Sequence, residues 1–320
     1  MSPEKSSDWI THLDYFFVLR PMLFYPGWST MLAGYFITYR YEIHLPLINQ
    51  SLLNHVHILL LILAFGMLMG STFVLNQLKD VKSDQKNKKL FIISNGHLTI
   101  RSAIKEVVLL AYFSFLIAFF LNVVTGICFV LFFLLTGILY NFDPFSMKDR
   151  PWGSLLANAL MGWFAFAIGW TAKNQVSGAV LMDSIPYLLF NTALYLFTTL
   201  PDIEGDRLSK KRTLAVIYGS KWLIIGAFSL YLSGLLYSLV IIELQALFFY
   251  ILSFPFFIKT IITMNTADTL RTTKFGIFFF ALSICLRWPI YFVLMLLGFV
   301  CTKVYFRKRF NINYPNFSGV

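Results

Sequence analysis

Residues 75–84 read LNQLKDVKSD, directly after the apolar run HILLLILAFGMLMGSTFV of residues 57–74. Asn76, Asp80 and Asp84 are spaced by four, so on a helix they share one face, about 6 Å apart per step. The run before them makes this the C-terminal end of an apolar helix, where the last backbone carbonyls already carry partial negative charge. Carboxylates are disfavoured there unless a cation joins them. Lys79 and Lys82 point elsewhere around the helix. Taken alone, the stretch also reads as a solvated loop of mixed charge.

Composition sets the surroundings. The chain has 320 residues, 58% hydrophobic and 13% charged, with 35 Phe. A soluble domain is nearer 25% charged. The fold class expected is an all-α polytopic membrane protein, one transmembrane domain over 1–320, with a polar N-terminal segment 1–19 and a basic tail 302–320. A spanning helix needs roughly 20 apolar residues. About nine such helices are expected, near 21–40, 56–76, 103–121, 123–141, 153–172, 184–200, 222–241, 243–263 and 276–301. Arg287 and Pro289 mark the last as a place for a break. No cleaved signal peptide is expected from the polar start MSPEKSSDWITHLDYF. Cys128, Cys285 and Cys301 are too far apart for a metal spacing or a disulfide framework. The net charge of +11 fits basic loops facing anionic lipid rather than nucleic acid.

The loops sort by charge. KDVKSDQKNKK (79–89), KDR (148–150), DRLSKKR (206–212) and RTTK (271–274) follow the even-numbered spans, while the other loops carry few cations. This bias places the four basic loops in the cytoplasm. The location expected is a bacterial or archaeal cell membrane. The tail KVYFRKRF (303–310) conflicts, because nine crossings would leave it outside.

A second acid set lies in LPDIEGDRLSKKRT (200–213). Asp202 and Asp206 are again four apart, with Arg207, Lys210, Lys211 and Arg212 behind them. This set follows span six, which points the same way as span two. Two carboxylate sets facing each other across one mouth suit Mg²⁺, which takes oxygen ligands and shares them with phosphate oxygens. The cations suit the same phosphates. Two solvated faces would give the same letters. After span four, YNFDPFSMKDRPWGS (140–154) offers Tyr140 and Lys148, also readable as an interfacial tyrosine and a topology-setting lysine. Arg20 opens span one, the usual place of a lipid anchor. Of the histidines, His55 and His57 are expected at the outer interface.

These residues resemble the UbiA superfamily of intramembrane prenyltransferases. Its pattern has nine helices, N-x-x-x-D-x-x-x-D after helix two and D-x-x-x-D after helix six. Asn76, Asp80 and Asp84 match the first motif, and Asp202 and Asp206 the second; Tyr140 and Lys148 match a tyrosine–lysine element after helix four. The resemblance covers essentially the whole chain. It implies Mg²⁺-dependent transfer of an isoprenoid chain from a polyprenyl diphosphate to an aromatic or other lipophilic acceptor. The metal would be held by Asn76, Asp80, Asp84, Asp202 and Asp206. Those four aspartates and Lys148 would be catalytic, and Asn76, Tyr140, Arg207, Lys211, Arg212 and Arg20 would bind substrate. The chain departs from many relatives in having Thr198, Thr199, Leu200 and Pro201 where they carry Asn and Asp before the second motif. That implies fewer metal ligands there, with Pro201 ending the helix and Glu204 near the start of a new turn. A cation-coupled transporter also carries membrane carboxylates, but on broken helices near the midplane, whereas these cluster at one mouth.

Overall fold

The computed structural model describes residues 8–41, 52–87, 91–208 and 212–315, without the side chains of 82–84, 86, 87 and 91. Among them the protein is helical throughout, with no strand. Two short helices, Asp8–His12 and Asp14–Phe17, precede the bundle. The bundle helices are α1 Phe24–Phe36, α2 Leu52–Asn87, α3 Ile100–Leu121, α4 Val123–Phe133, α5 Pro151–Lys173, α6 Ala179–Thr198, α7 Leu214–Val240, α8 Leu244–Thr263, α9 Thr266–Arg287 and α10 Ile290–Phe310. Eight of these, all but α1 and α4, are long and apolar enough to cross a membrane by themselves. One 3₁₀ turn on each side, Pro21–Leu23 and Ile37–Tyr39, lengthens α1. A π-helical stretch, Leu134–Leu139, carries α4 on to Tyr140. The all-α membrane bundle expected from composition is the fold observed, and the chain is an integral membrane protein.

Short polar residues punctuate the apolar runs. Asn122 Oδ1 accepts from the backbone N–H of Val124 and Thr125, at 2.8 and 3.3 Å, and so divides one long run into α3 and α4. Asn265 does the same before α9, accepting from Ala267 N at 2.9 Å. The exposed side chains of α3, among them Leu109, Tyr112, Leu116 and Phe120, face outward, as a lipid-facing surface should. Lipid tails are as apolar as leucine, so helices associate through close packing and polar contacts instead. Gly34 and Gly169 show this between α1 and α5. A Cβ on Gly34 would strike the Phe166 carbonyl, and one on Gly169 the Met31 carbonyl. Rings fill the seam of α6, α8 and α9, with Phe190 and Phe249 centroids 4.5 Å apart and Phe249 and Phe280 4.7 Å apart.

The expected ninth span, 276–301, is divided. The helix breaks at Trp288, because Pro289 cannot donate to the ladder and disfavours helical backbone in the residue before it. RTTK, expected as a loop, lies inside α9. At the break, buried Arg287 donates from Nη1 to the Phe36 carbonyl at 2.9 Å, and Trp288 Nε1 donates to His55 Nδ1 at 3.1 Å. From there α10 returns along α1. Tyr291 OH lies 3.0 Å from Ser29 Oγ, and Tyr25 OH donates to the Met295 carbonyl at 3.2 Å. Its far end meets the N-terminal segment, where Tyr305 OH donates to Asp14 Oδ1 at 2.6 Å and Arg309 Nη2 bonds Asp14 Oδ2 at 3.1 Å. The basic tail therefore emerges on the face that carries the acid motifs, and its conflict with the loop charges disappears.

Charge at the opposite face is paired. Arg40 meets Asp183 at 2.5 Å, Tyr187 OH donates to Glu243 Oε1 at 3.0 Å, and Arg287 stands 3.9 Å from Glu243.

Two outcomes test this architecture. In a variant lacking Cys128, Cys285 and Cys301, cysteines at Gly205 and Asn311 should react with an impermeant thiol reagent from one side and a cysteine at Ser177 from the other. Labelling of Asn311 together with Ser177 would mean that α10 does not cross. Gly169→Val should destabilise the detergent-solubilised protein by about 1–3 kcal/mol in thermal unfolding, by overpacking. Gly178→Ala, with open space around it, should leave the transition in place.

Candidate functional site

The first motif rides on the last turns of α2, a helix that continues unbroken through Asn87. Its amide is held from below: Asn76 Nδ2 donates to Asn141 Oδ1 at 2.7 Å. Asn141 is fully buried, and its Nδ2 donates to the Thr136 and Gly137 carbonyls at 2.9 and 3.2 Å. Those carbonyls belong to the π-helical stretch, whose widened turn leaves them open to a side chain.

One helical turn on, both Asp80 oxygens accept from Lys148 Nζ at 2.7 Å. Lys148 sits in the 3₁₀ turn Met147–Asp149, and its backbone N–H donates to the Tyr140 carbonyl at 3.2 Å. The tyrosine–lysine element is thus one closed loop whose ammonium reaches across to α2. Lys79, on the neighbouring face, pairs instead with Asp143 at 3.3 Å. The Ser146 hydroxyl and Lys79 hold the Asp143 carboxyl below its ordinary range. Asp84 lies on the same helix, but its side chain is outside the described residues, as is Lys211.

The second acid set is built differently. α6 ends at Thr198, and Asp202 and Asp206 belong to a turn and to the short helix Ile203–Leu208 that follows Pro201. The Asp206 N–H donates to the Asp202 carbonyl at 2.8 Å. Asp202 and Glu204 are exposed and Asp206 half-buried; Arg207 and Arg212 are exposed. The break and the new turn expected at Pro201 are both present.

Beside Asn76 on α2 and Thr198 at the end of α6 opens a cavity of about 460 Å³. Arg20, Asn76, Tyr140, Asn158, Tyr195 and Thr198 line its polar part, and Phe65, Met69, Phe132, Met161 and Leu194 are among its apolar lining. Tyr195, on α6, lines the same cavity as Tyr140. Asn76, Tyr140 and Arg20 line the cavity itself, with Asp80 and Lys148 joined beside Tyr140.

Sequence reading did not single out Asn141, Asn158, Asn191 or Tyr195. Asn191 Nδ2 donates to Thr30 Oγ1 at 2.9 Å inside the bundle. A signal existed for three of the four, since an amide in or beside a membrane helix is costly unless it has a task.

Carboxylate and amide oxygens at the mouth are the donors that a hard divalent cation takes, and Asp80 is already contacted by a cation, the Lys148 ammonium. The donor chemistry fits Mg²⁺. Among the described residues no three His, Cys, Asp or Glu side chains converge for a metal; the first set is represented there by Asn76 and Asp80.

The model of the UbiA prenyltransferase family matches residues 27–284. A probable homogentisate phytyltransferase 2, chloroplastic, of Oryza sativa subsp. japonica is 29% identical over 167 residues, 48% of this chain and 43% of that one. A digeranylgeranylglyceryl phosphate synthase of Methanosphaera stadtmanae is 25% identical over 152 residues, 48% of this chain and 54% of that one. The matches thus span about half the length of these curated relatives. In fold, the chain is similar to a UbiA homologue from Archaeoglobus fulgidus bound to GPP and Mg²⁺, with TM-score 0.64 and 20% identity, covering 88% of this chain and 99% of that one. A UbiA homologue from Aeropyrum pernix K1 gives 0.65 at 14% identity, covering 86% and 98%.

Replacing Asn141 by leucine should strand the Asn76 amide and two buried carbonyls. The expected cost is about 1–3 kcal/mol for the unsatisfied groups, read as a lowered thermal midpoint in detergent. An unchanged midpoint would mean that Asn141 does not hold the end of α2.

Proposed function

The chain belongs to the UbiA prenyltransferase family, and from that premise we propose that it transfers an isoprenoid chain from a polyprenyl diphosphate to an aromatic or other lipophilic acceptor, releasing diphosphate. The observation that supports this reading is the cavity: it joins an apolar part to a polar part lined by Arg20, Asn76 and Tyr140, next in the chain fold to the Lys148–Asp80 pair. An allylic diphosphate has an anionic head and a greasy tail, and this cavity has a place for each.

In this reading the head sits at the mouth. Asn76, Asp80, Asp84, Asp202 and Asp206 would hold Mg²⁺, which when bound would supply Lewis-acid neutralisation of the charge on the departing diphosphate. Lys148 donates to phosphate oxygen, exchanging its contact with Asp80 for one with substrate. Tyr140 donates its hydroxyl alongside. Arg20, Arg207, Lys211 and Arg212 add positive charge around the leaving group. As the C1–oxygen bond breaks, the electron pair leaves with the diphosphate and the chain carries allylic cation character. Phe65, Phe73 and Phe132 line the cavity, and aromatic faces stabilise such charge by roughly 0.5–2 kcal/mol each. The apolar wall keeps water from competing with the acceptor. The basic loops around this mouth support a cytoplasmic orientation in a bacterial or archaeal membrane.

The test is diphosphate release by purified protein given prenyl diphosphates, Mg²⁺ and an extracted lipid acceptor pool. Asp80→Asn should cut turnover by more than about a hundredfold, since loss of groups merely supporting a metal ligand already costs ~10–100-fold. Near-normal turnover at low Mg²⁺ would overturn the metal role. Lys148→Ala should raise KM for the diphosphate by about tenfold, the worth of one charge-assisted hydrogen bond. An unchanged KM would return Lys148 to a purely topological role.

A further inference from the structure

Threonine in a helix can turn its hydroxyl proton back onto a carbonyl of the preceding turn, and then has only a methyl and oxygen lone pairs to offer a ligand. Five threonines line the large cavity, and each of them does this. Thr30 donates to the Pro26 carbonyl at 2.8 Å, Thr72 to Met69 at 2.9 Å, Thr136 to Phe132 at 2.7 Å, Thr198 to Tyr195 at 2.7 Å and Thr273 to Thr269 at 2.9 Å. The amide nitrogens are engaged in the same way: Nδ2 of Asn76, Asn158 and Asn191 donates to Asn141, Ser154 and Thr30. The threonines of this wall therefore offer a ligand oxygen and no O–H.

Two of the five stand just below the mouth. Thr72 lies four residues before Asn76 on α2, and Thr136 four before Tyr140 on the π-helical stretch. Both helices run toward the mouth, so both threonines lie about one turn deeper. The helices touch at this level, where the Leu75 side chain packs on Gly137 and Asn76 bonds Asn141. Thr72 and Thr136 are 3% and 6% exposed, and among the described residues no group donates to their oxygens. Oxygens without a donor, shielded from water, carry a negative potential that solvent does not screen. Unlike carboxylates, they do so without a net charge that an apolar wall would have to neutralise.

We propose that Thr72 and Thr136 form a subsite for an organic cation, and that in catalysis they meet the positive charge of the prenyl chain. The use in catalysis rests on the prenyl-transfer reading; the cation site does not. In that reading the diphosphate sits beside Asn76 and Tyr140. C1 and C3 of the allylic chain are then one and three bonds beyond the leaving oxygen, at about 1.5 Å per bond. That is within the depth of one helical turn, about 5.4 Å. As the C1–oxygen bond breaks, its electron pair leaves on the diphosphate and the positive charge spreads over C1 and C3. The two threonine oxygens face that charge until the acceptor bonds to C1 and gives its proton to the diphosphate. The uncharged chain of the ground state gains nothing from them, so their effect falls on kcat and not on KM.

The experiment is calorimetric binding to the purified full chain in detergent, with Mg²⁺ and inorganic diphosphate filling the mouth. Two probes are compared: protonated geranyldimethylamine, an allylic ammonium, and geranyl methyl ether, its uncharged counterpart. Thr72→Val combined with Thr136→Val keeps shape and removes both oxygens. It should weaken the ammonium about tenfold and leave the ether within about twofold. Thr72→Val alone should show the same selectivity at about threefold, so the test survives a double variant that does not fold. Thr72→Ser with Thr136→Ser keeps the oxygens and should hold the ammonium within about twofold of the unaltered chain. In turnover of geranyl diphosphate, the double valine variant should lose about tenfold in kcat at constant KM. Unchanged ammonium binding in the valine variants, equal losses of ammonium and ether, or no ammonium binding by the unaltered chain would each overturn the subsite. Selective ammonium loss with unchanged kcat would overturn its use in catalysis. The same selective loss in a protein that releases no diphosphate would uphold the subsite and sink the prenyl-transfer reading instead.

Discussion

An ionised side chain in hydrocarbon has no partner unless the protein provides one, and that constraint organises this molecule. Its charges are drawn to the two ends of the bundle and leave a dry middle lined by rings and small residues. The ends are not alike. At one, Glu243 is 0% and Arg287 1% exposed as side chains, sealed in and fixed to main chain and phenol. At the other, Lys148 and Asp80 are 11% and 30% exposed and open beside the large cavity. A sealed pair leaving its contacts would be stranded without solvent; a pair at an open mouth can exchange partners. The first kind fastens helices, and the second is available to a ligand.

The two acid sets differ in the same mechanical sense. Asn76 and Asp80 stand on a 36-residue helix anchored through Asn141 to the π-helical end of α4. Asp202 and Asp206 stand on a six-residue helix of their own, separated from α6 by Pro201. One set is carried by the bundle, and the other is jointed to it.

Much of this was written in local sequence. Apolar runs of sufficient length mark the spanning helices, and spacing of four puts each acid set on a face. Pro201 and Pro289 mark breaks because proline's effect on backbone is local. The residues that escaped are those whose meaning lies in distant partners. Asn141 matters because Asn76 lies above it, 65 residues away in the chain. RTTK reads as a loop by charge, yet it is helix, since Asn265 caps the turn before it and Asp268 pairs with Lys259 at 3.1 Å. The tail's charge seemed misplaced only while one helix was counted where Trp288 and Pro289 make two. For Asp84 and Lys211, the sequence remains the sole source, as they or their side chains lie outside the described residues.

The contact between Asp14 and Arg309 joins residues 295 positions apart. During synthesis, α1 to α9 can pack as each emerges, since domains and helices form in chain order. The joint at Asp14 has to await the emergence of α10. Until then the N-terminal segment lacks its stacking partner, Tyr305, whose ring lies 3.8 Å from Phe17. A chain halted before α10 would therefore carry both acid sets and every residue that lines the large cavity, yet leave Asp14 and Phe17 without Tyr305 and Arg309.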